Sequence, residues 1–425
     1  MTQQAEYAIA VVGGATAGAE AAGIFSQRGI LSVVFEQNDR PYGKIEDGLP
    51  KWHVGLRKKE YEAIDRNLTQ PSVYFVPRTK VGRDLDLREL VDDWGFHAVV
   101  LANGAWRDRP LPIEGAESYL SRGLVYQNPF IYWFNHCHEQ SYAGERFEIL
   151  DDTIVVGGGL ASIDVAKAIQ LELALRALRA RGIEAELVEL ETKGIPKVLA
   201  RHDLSWEELG IQGCTLFYRR RAEDMPLVGL PEGANEAQRA KVEKSRARVL
   251  EKAISKYLFR VRTLYAPVGL LVENDRLVGL DFARTRVEGG RVQLTDETVQ
   301  VRGPMVISSI GSIPERLEGV QMNGELYDFQ DWDLGRLADF PTLFSAGNVV
   351  TGKGNIVDSR KHARHVAGHM TERYLELAEG VRKLEPLTPE AIESILKRVR
   401  DHQDRVGYDG VYRSWIEAVT PPDHI

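Results

Sequence analysis

The sequence predicts an α/β protein with two parallel-stranded sheets, and three observations carry that expectation. The apolar run AIAVV at 8–12 leads straight into GGATAG at 13–18. The run TIVV at 153–156 leads into GGGLAS at 157–162. The chain has 425 residues, too many for one ordinary domain and comfortable for two. A buried strand, a glycine turn and a helix opening on small residues make a Rossmann-like dinucleotide-binding unit. One such motif is weak; two in one chain, each after an apolar strand, support each other.

In the first unit each part has a physical task. Gly13 permits the tight turn out of the strand, and Gly18 lets the helix pack close to the sheet. Ala15 and Ala17 lie where the helix N-terminus turns free N–H groups and a positive dipole end toward a pyrophosphate. LSVVFE at 31–36 is a second strand ending on an acid. Glu36 can accept hydrogen bonds from both hydroxyls of an adenosine ribose and would repel a 2′-phosphate, so this unit should prefer FAD or NAD to NADP; Gln37 follows it. Ala15 replaces the middle glycine of G-x-G-x-x-G and reads as a tolerated substitution in a working site.

In the second unit Gly157 and Gly159 hold the first two glycine positions, Ser162 takes the third, and Leu160 and Ala161 open the helix. Two stretches could be its next strand. AELVELE at 185–191 ends on acids and suggests NAD. CTLFYRRR at 214–221 ends on three arginines, which can bind a 2′-phosphate bidentately and suggest NADP.

Composition narrows the function. A net charge of −8 argues against nucleic acid as the main partner. No apolar run approaches membrane-spanning length, and MTQQAEYAIAVVGG has no basic region before its apolar stretch, so neither a membrane anchor nor a secretion signal is expected. Cys137 and Cys214 are the only cysteines, with no C-x-x-C. This excludes a local redox dithiol, a cysteine-ligated iron–sulfur cluster and a cysteine-rich zinc site, and fits a cytoplasmic protein. His365 and His369 have the i,i+4 spacing of metal ligands, but no carboxylate or thiol partner is suggested, so no metal site is expected.

Several further stretches resemble one family, the two-domain flavoproteins that include adrenodoxin reductase, the bacterial ferredoxin–NADP reductases similar to it, and the glutamate synthase small subunit. They are PYGKIEDGLPKWH (41–53), VGRDLDLREL (81–90), AVVLANGAWRDRPLPIEG (98–115), GGGLASIDVAKA (157–168), FYRRRAEDMP (217–226), VISSIGSIPE (306–315) and LFSAGNVVTGKGNIVDSRKHA (343–363). The resemblance runs to about residue 375 and implies FAD in the first unit and NADP(H) in the second. It makes Arg219 and Arg220 the 2′-phosphate readers. Gly43, Lys44 and Pro50 would pass beside the flavin, with Ala102, Asn103 and Gly104 at the chain crossover. Gly347 and Asn348 would meet the ribityl chain, and Gly354, Asn355 and Ile356 the flavin ring, with Lys353 nearby. His53 is the acid–base candidate near the ring, and Glu232 lies one position off the family's active-site glutamate. Lys44, where the family usually has leucine, and Asn348, where it has aspartate or tryptophan, are departures.

The implied organisation is an FAD-binding domain at 1–108 and 333–425, with an NADP-binding domain at 109–332 inserted into it. The charged stretch 234–254 should be a solvated helix. A Pro-marked helix should follow Leu384, and the aromatic C-terminal end could dock on the flavin domain or a neighbouring subunit. The implied activity is FAD-dependent oxidation of NADPH with a ferredoxin-type electron-transfer protein as acceptor. Alternatives are a two-electron NAD(P)H reductase of a quinone or small organic acceptor, a flavoprotein subunit of a larger complex, and a nucleotide sensor without turnover.

Overall fold

The computed structural model describes residues 5–231, 233–352, 354–375 and 384–424. Glu232 and Lys353, both singled out above, lie outside the described residues. The first sheet has five parallel strands in the order Leu343–Ser345, Ala98–Leu101, Ala8–Val12, Leu31–Phe35 and Val73–Val76. Ala8–Val12 is central and buried along its whole length. That explains the unbroken apolar run, because a parallel strand covered on both faces has no reason to alternate. The second sheet repeats the design with Leu124–Tyr126, Val306–Ser309, Ile154–Gly157, Thr215–Tyr218 and Arg260–Thr263, again all parallel.

The helix after each glycine loop packs on its own sheet. Thr16–Gln27 buries Ala17, Ala19, Ala21, Ala22 and Phe25. Leu160–Arg179 is buried along most of its length, as expected for a helix covered on several sides. The ambiguity over the second unit's next strand resolves on pairing. Thr215–Tyr218 runs parallel to Ile154–Gly157, whereas residues 187–191 of the acidic alternative lie in the helix Leu187–Lys193.

The sequence reading had no place for the three-stranded antiparallel sheet Tyr265–Glu273, Arg276–Glu288 and Arg291–Arg302. It joins the second unit through a shared core, with Phe282 stacked on Phe217 at a centroid separation of 4.1 Å. The chain crosses between units where Arg107–Asp108 pairs antiparallel with Ser312–Ile313. After that crossing, Leu317, Val320, Tyr327, Phe329 and Leu337 pack into the core of the first sheet.

The charged helix is Glu236–Tyr257, with Leu250 and Tyr257 its buried residues. The Pro-marked helix is Pro389–Val406, capped by Thr388, whose hydroxyl accepts from Ala391 N. The aromatic end docks on the first unit. Tyr412 donates to Asp65 Oδ1 at 2.6 Å, and Trp415 Nε1 donates to the Asp39 carbonyl at 2.8 Å. Among the described residues no helix is long and apolar enough to cross a membrane.

Candidate functional site

The first loop lies at the C-terminal end of the central strand, where parallel sheets open their ligand crevice. Gly13 has a φ of +98°, and a Cβ on it would lie 2.6 Å from the Ala102 carbonyl oxygen. A Cβ on Gly18 would collide with the carbonyl oxygen of Gly13. Neither position accepts a side chain, as their spacing predicts. Ala15 differs. Its φ of −74° and ψ of −158° are open to any residue, so the loop's backbone does not need glycine there. The space is instead shared across the fold: a Cβ on Gly43 would lie 2.9 Å from the Ala15 methyl. A Cβ on Gly347 would likewise lie 2.7 Å from Ala17 Cβ. Gly13, Ala15, Ala17, Gly43, Ala102 and Gly347, predicted separately, are thus brought together.

Glu36 closes this loop. Its Oε2 accepts from Gly14 N at 2.8 Å and its Oε1 from Asn38 N at 2.9 Å. Burial pushes its carboxyl up to about 7, against the opposing pull of those N–H groups. Gln37 follows at the rim of a cleft that also receives Lys44, Trp106 and Asn128. Three polar atoms near the ends of the first sheet's strands are buried without hydrogen-bond partners: Asn103 Oδ1, Asn348 Oδ1 and His362 Nε2. Buried polar atoms are rarely left unpaired. A polar cofactor beside this edge, held by Glu36, Asn103 and Asn348, fits that donor and acceptor set.

Lys44 reaches across the two units. Its Nζ donates to Asn128 Oδ1 at 2.9 Å and Ser312 Oγ at 3.0 Å and lies 5.7 Å from the Trp106 ring centre. Burial pulls its ammonium down to about 8. Burial also pushes the neighbouring Asp108 carboxyl up to about 6. Sequence reasoning missed Asn128, Ser312, Asp108 and Trp106, because they come from separate segments with no shared motif. Pro50 is buried in the same segment, and its carbonyl accepts from His53 N. Gly104 keeps a φ of +69° beside Trp106.

The closing segment behaves in two ways. Gly347 N donates to His362 Nδ1 at 3.0 Å, which ties the turn to the helix Ile356–His369. Asn355 caps that helix, with Oδ1 accepting from Asp358 N at 2.7 Å and Nδ2 donating to Asp358 Oδ2. Its side chain is therefore committed to the cap, leaving backbone N–H groups of the first turn as its offer to a ligand. Gly354 lies beside Asn348, where a Cβ would sit 3.7 Å from the amide nitrogen. His365 Nε2 donates to Asp333 Oδ2 at 2.7 Å, so it does have a carboxylate partner, which its helical neighbours could not reveal.

The second loop is more open. Gly157 is as confined as Gly13, since a Cβ would collide with the Ser309 carbonyl oxygen and with Ser162 Oγ. Gly158 lies against the Tyr218 ring, whereas a Cβ on Gly159 would meet nothing within 4 Å. Ser162 does more than fill a small-residue position: its Oγ donates to the Ser309 carbonyl at 3.1 Å and accepts from Gly159 N at 3.2 Å. Leu160 and Ala161 begin the helix, with Leu160 half exposed. Arg219 and Arg220 leave the end of the strand next to this loop. Arg219 is exposed and its guanidinium has no hydrogen bond or ion pair among the described residues. Arg220 donates to the Gly290 carbonyl at 2.7 Å, and Arg221 is bound to Asp224.

His53 faces the second unit. It precedes the helix Val54–Leu68, and its Nε2 lies 3.9 Å from Asp164 Oδ1 on the helix of the second loop. That nitrogen is buried without a hydrogen-bond partner. The preceding Trp52 is buried in the second unit's core, with Lys167 Nζ 4.6 Å from its ring centre.

Two parallel sheets, each opening on a glycine loop, with polar side chains from both units between them, define a two-unit dinucleotide-binding α/β fold. No family model matches the chain. It is 33% identical over 167 residues to the cindoxin reductase of Citrobacter braakii, covering 39% of this chain and 35% of that one. It is 34% identical over 170 residues to the glutamate synthase [NADPH] small chain of Bacillus subtilis, covering 38% and 32%. The matched stretches thus span about a third of these curated relatives. A longer alignment, 25% identical over 427 positions, covers 92% of this chain and 72% of a probable ferredoxin/ferredoxin–NADP reductase of Mycobacterium leprae. The structure of Mycobacterium tuberculosis FprA in complex with NADPH shares the fold, with a TM-score of 0.70, 19% identity, and coverage of 94% of this chain and 91% of that one.

Proposed function

We propose that the protein is an FAD-dependent NADPH oxidoreductase serving a ferredoxin-type iron–sulfur acceptor. The observation that carries this reading is the unequal chemistry of the two loops: a buried carboxylate, Glu36, closes the first, and an exposed, unpaired guanidinium, Arg219, flanks the second. A carboxylate selects an unphosphorylated ribose; a free guanidinium selects a 2′-phosphate. The relatives named as reductases of cindoxin and ferredoxin, and the neighbour solved with NADPH, support the same assignment.

In this reading residues 1–108 and the chain after the second crossing form the FAD unit, with the residues between forming the NADP unit. Core packing of Leu317 to Leu337 with the first sheet supports ending the NADP unit near Ile313 instead of at 332. Gly13, Ala15, Ala17 and Gly18 present backbone to the pyrophosphate, and Glu36 holds the adenosine ribose with Gln37 at its side. Gly43, Pro50, Ala102, Gly104, Gly347 and Gly354 shape the crevice by keeping backbone close. Asn103 and Asn348, whose amide oxygens are buried without partners, would supply acceptors for the cofactor's hydroxyls, and the first turn of the helix at Asn355 and Ile356 would offer N–H groups to an electron-rich ring edge. Gly157, Gly159, Leu160, Ala161 and Ser162 cradle the second pyrophosphate, with Arg219 and Arg220 on the 2′-phosphate.

When bound, FAD accepts hydride from NADPH and releases electrons onward. The protein's own groups orient and shield. His53 sits between the units, with Asp164 on its Nε2 side, where it can hold or pass a proton. Lys44 places a half-buried positive charge in the crevice and, through Asn128 and Ser312, ties one unit to the other. Glu232 is retained as a second acid–base candidate. The unpaired thiols of Cys137 and Cys214 suit the cytoplasm.

Purified protein should carry a yellow flavin that bleaches anaerobically with NADPH more readily than with NADH. Reoxidation should be faster with a ferredoxin than with a quinone. Retention of no flavin, with none rebinding, would overturn the reading; bleaching with faster quinone turnover would replace the acceptor.

A further inference from the structure

We propose that His136, Glu139 and His424 form a divalent-metal site suited to Zn²⁺, which clips the C-terminal tail to both units. His136 ends the helix Gln127–His136, Glu139 follows in the next turn, and His424 lies at the end of the tail. All three are largely buried. The two imidazoles turn the same nitrogen inward: His136 Nδ1 and His424 Nδ1 each lie 2.9 Å from Glu139 Oε1. The three donor atoms lie within 4.8 Å of one another.

The outer nitrogens supply the second argument. His136 Nε2 lies 3.2 Å from Asp47 Oδ1, and His424 Nε2 lies 3.4 Å from Glu46 Oε1. Neither outer nitrogen completes a hydrogen bond, but each faces a carboxylate at ion-pair distance, and an imidazole whose outer nitrogen faces a carboxylate is the arrangement that orients a metal ligand. Here it occurs twice around one shared carboxylate. Without a metal, bonding Glu139 and the outer carboxylates together requires each imidazole to carry protons on both nitrogens. One divalent ion replaces the two inner protons with no change in net charge and leaves each outer nitrogen facing its carboxylate.

Two imidazoles and a carboxylate favour zinc over calcium or magnesium, which take oxygen ligands. Three protein ligands leave a fourth position to a water. The preceding residue, Asp423, keeps Oδ1 buried with no hydrogen-bond partner, while its Oδ2 accepts from Gln140 N at 3.0 Å. The clip joins Glu46 and Asp47 of the first unit, His136 and Glu139 of the second, and the tail. It therefore fixes the short helix Lys44–Asp47, which carries the Lys44 bridge. The inference does not depend on the identity of the electron acceptor or on which nucleotide binds where.

The test uses the full chain, stripped with a chelator and dialysed against Zn²⁺. Wild type should retain one zinc per chain, with an upward shift in Tm, and Co²⁺ in its place should give visible d–d absorption. His424→Asn and Glu139→Gln should lose the bound zinc and the Tm response. Asp47→Asn should weaken binding about 10- to 100-fold. His365→Asn, a surface control, should retain the metal. Deleting residues 421–425 removes the same ligand without touching a core helix and should match His424→Asn if that variant folds poorly. Wild type that retains no stoichiometric zinc and shows no Tm response, or a His424→Asn variant that binds as tightly as wild type, overturns the proposal.

Discussion

The two glycine loops share the first glycine and differ at the second and third positions and in the charged group that flanks them. At the third position the first loop has Gly18, where a side chain would collide with the Gly13 carbonyl; the second has Ser162, whose hydroxyl bonds two backbone groups. At the second position the first loop has Ala15 facing Gly43 across the fold, and the second has Gly159 facing open space. The first loop is closed by a buried acid and the second is flanked by an exposed base. On the proposed assignment the first would act as a wall around a ligand that stays, the second as a shelf for one that exchanges.

The largest effect should come from filling the wall. Gly18→Val places a branched side chain against the backbone of its own loop, where no rotamer relieves the clash. A loss of at least ~3 kcal/mol in stability is expected, with the cofactor lost as well. The matching change in the second loop, Ser162→Ala, removes one hydroxyl with two partners and should cost only about 1–2 kcal/mol. Urea unfolding of the two variants measures both. Equal losses would mean that the loops are not distinguished by packing.

Next in size is the shelf. Arg219→Ala with Arg220→Ala should weaken NADPH by about 10- to 100-fold, from loss of charge-assisted bonds to phosphate, and leave NADH within about threefold. Arg219 should contribute more, because Arg220 already holds the Gly290 carbonyl. Isothermal titration with both nucleotides separates the outcomes; parallel losses would place the 2′-phosphate elsewhere.

These predictions rest on parts of the molecule that the sequence made legible, and the limits of that legibility are physical. AIAVVGG and TIVVGGG are readable because burial on both faces forces an unbroken apolar run into the turn. Glu36 is readable because a strand of five residues ends beside it. The next strand of the second unit stayed ambiguous until pairing chose Thr215–Tyr218, since AELVELE has the composition of either a strand or a helix. The sheet at 265–302 is not legible because Tyr265–Glu273 shows no regular alternation and Arg291–Arg302 lies mostly in solvent, so neither a period of two nor an unbroken buried run marks them. The partners of Lys44 lie 84 and 268 positions away, and the partner of His365 is 32 positions back on another element. Local periodicity carries no information about such contacts.

A smaller effect should follow pH at the first loop alone. Burial raises the Glu36 carboxyl from 4.5 to about 7. Because the folded value lies above the unfolded one, the charged form opposes folding: the penalty is complete above about pH 7 and disappears as pH falls toward 4.5. Adenosine-ribose binding has the opposite sense, since hydroxyl donors need the carboxylate. Affinity of the apoprotein for FAD should therefore be flat above about pH 7 and fall by up to ~10-fold per unit below it. Glu36→Gln should abolish that slope. A slope that persists in the variant would assign the titration to another group.

The smallest effect belongs to the residue that most departs from the loop pattern. Ala15 has a backbone conformation open to any residue, so Ala15→Gly removes a methyl without relieving strain. It should leave flavin affinity unchanged and cost under ~1 kcal/mol of stability at the start of its helix. Its informative use is with Gly43, whose φ is +49° and whose missing side chain would lie 2.9 Å from the Ala15 methyl. Gly43→Ala carries two penalties, about 1–3 kcal/mol for a backbone at φ 49° and ψ −133° that side chains rarely adopt and a further ~1–3 kcal/mol for the clash. Ala15→Gly can remove only the second. The double variant should therefore be more stable than Gly43→Ala alone, with a coupling of about 1–2 kcal/mol in a double-mutant cycle. The same cycle on Gly159→Ala and Gly43→Ala should be additive, because nothing lies within 4 Å of a Cβ at Gly159. Coupling in the first cycle and not in the second would mean that the alanine in the first loop is accommodated by a glycine 28 positions downstream, and that the departure from pattern is a trade of one small residue for another within a single packed contact.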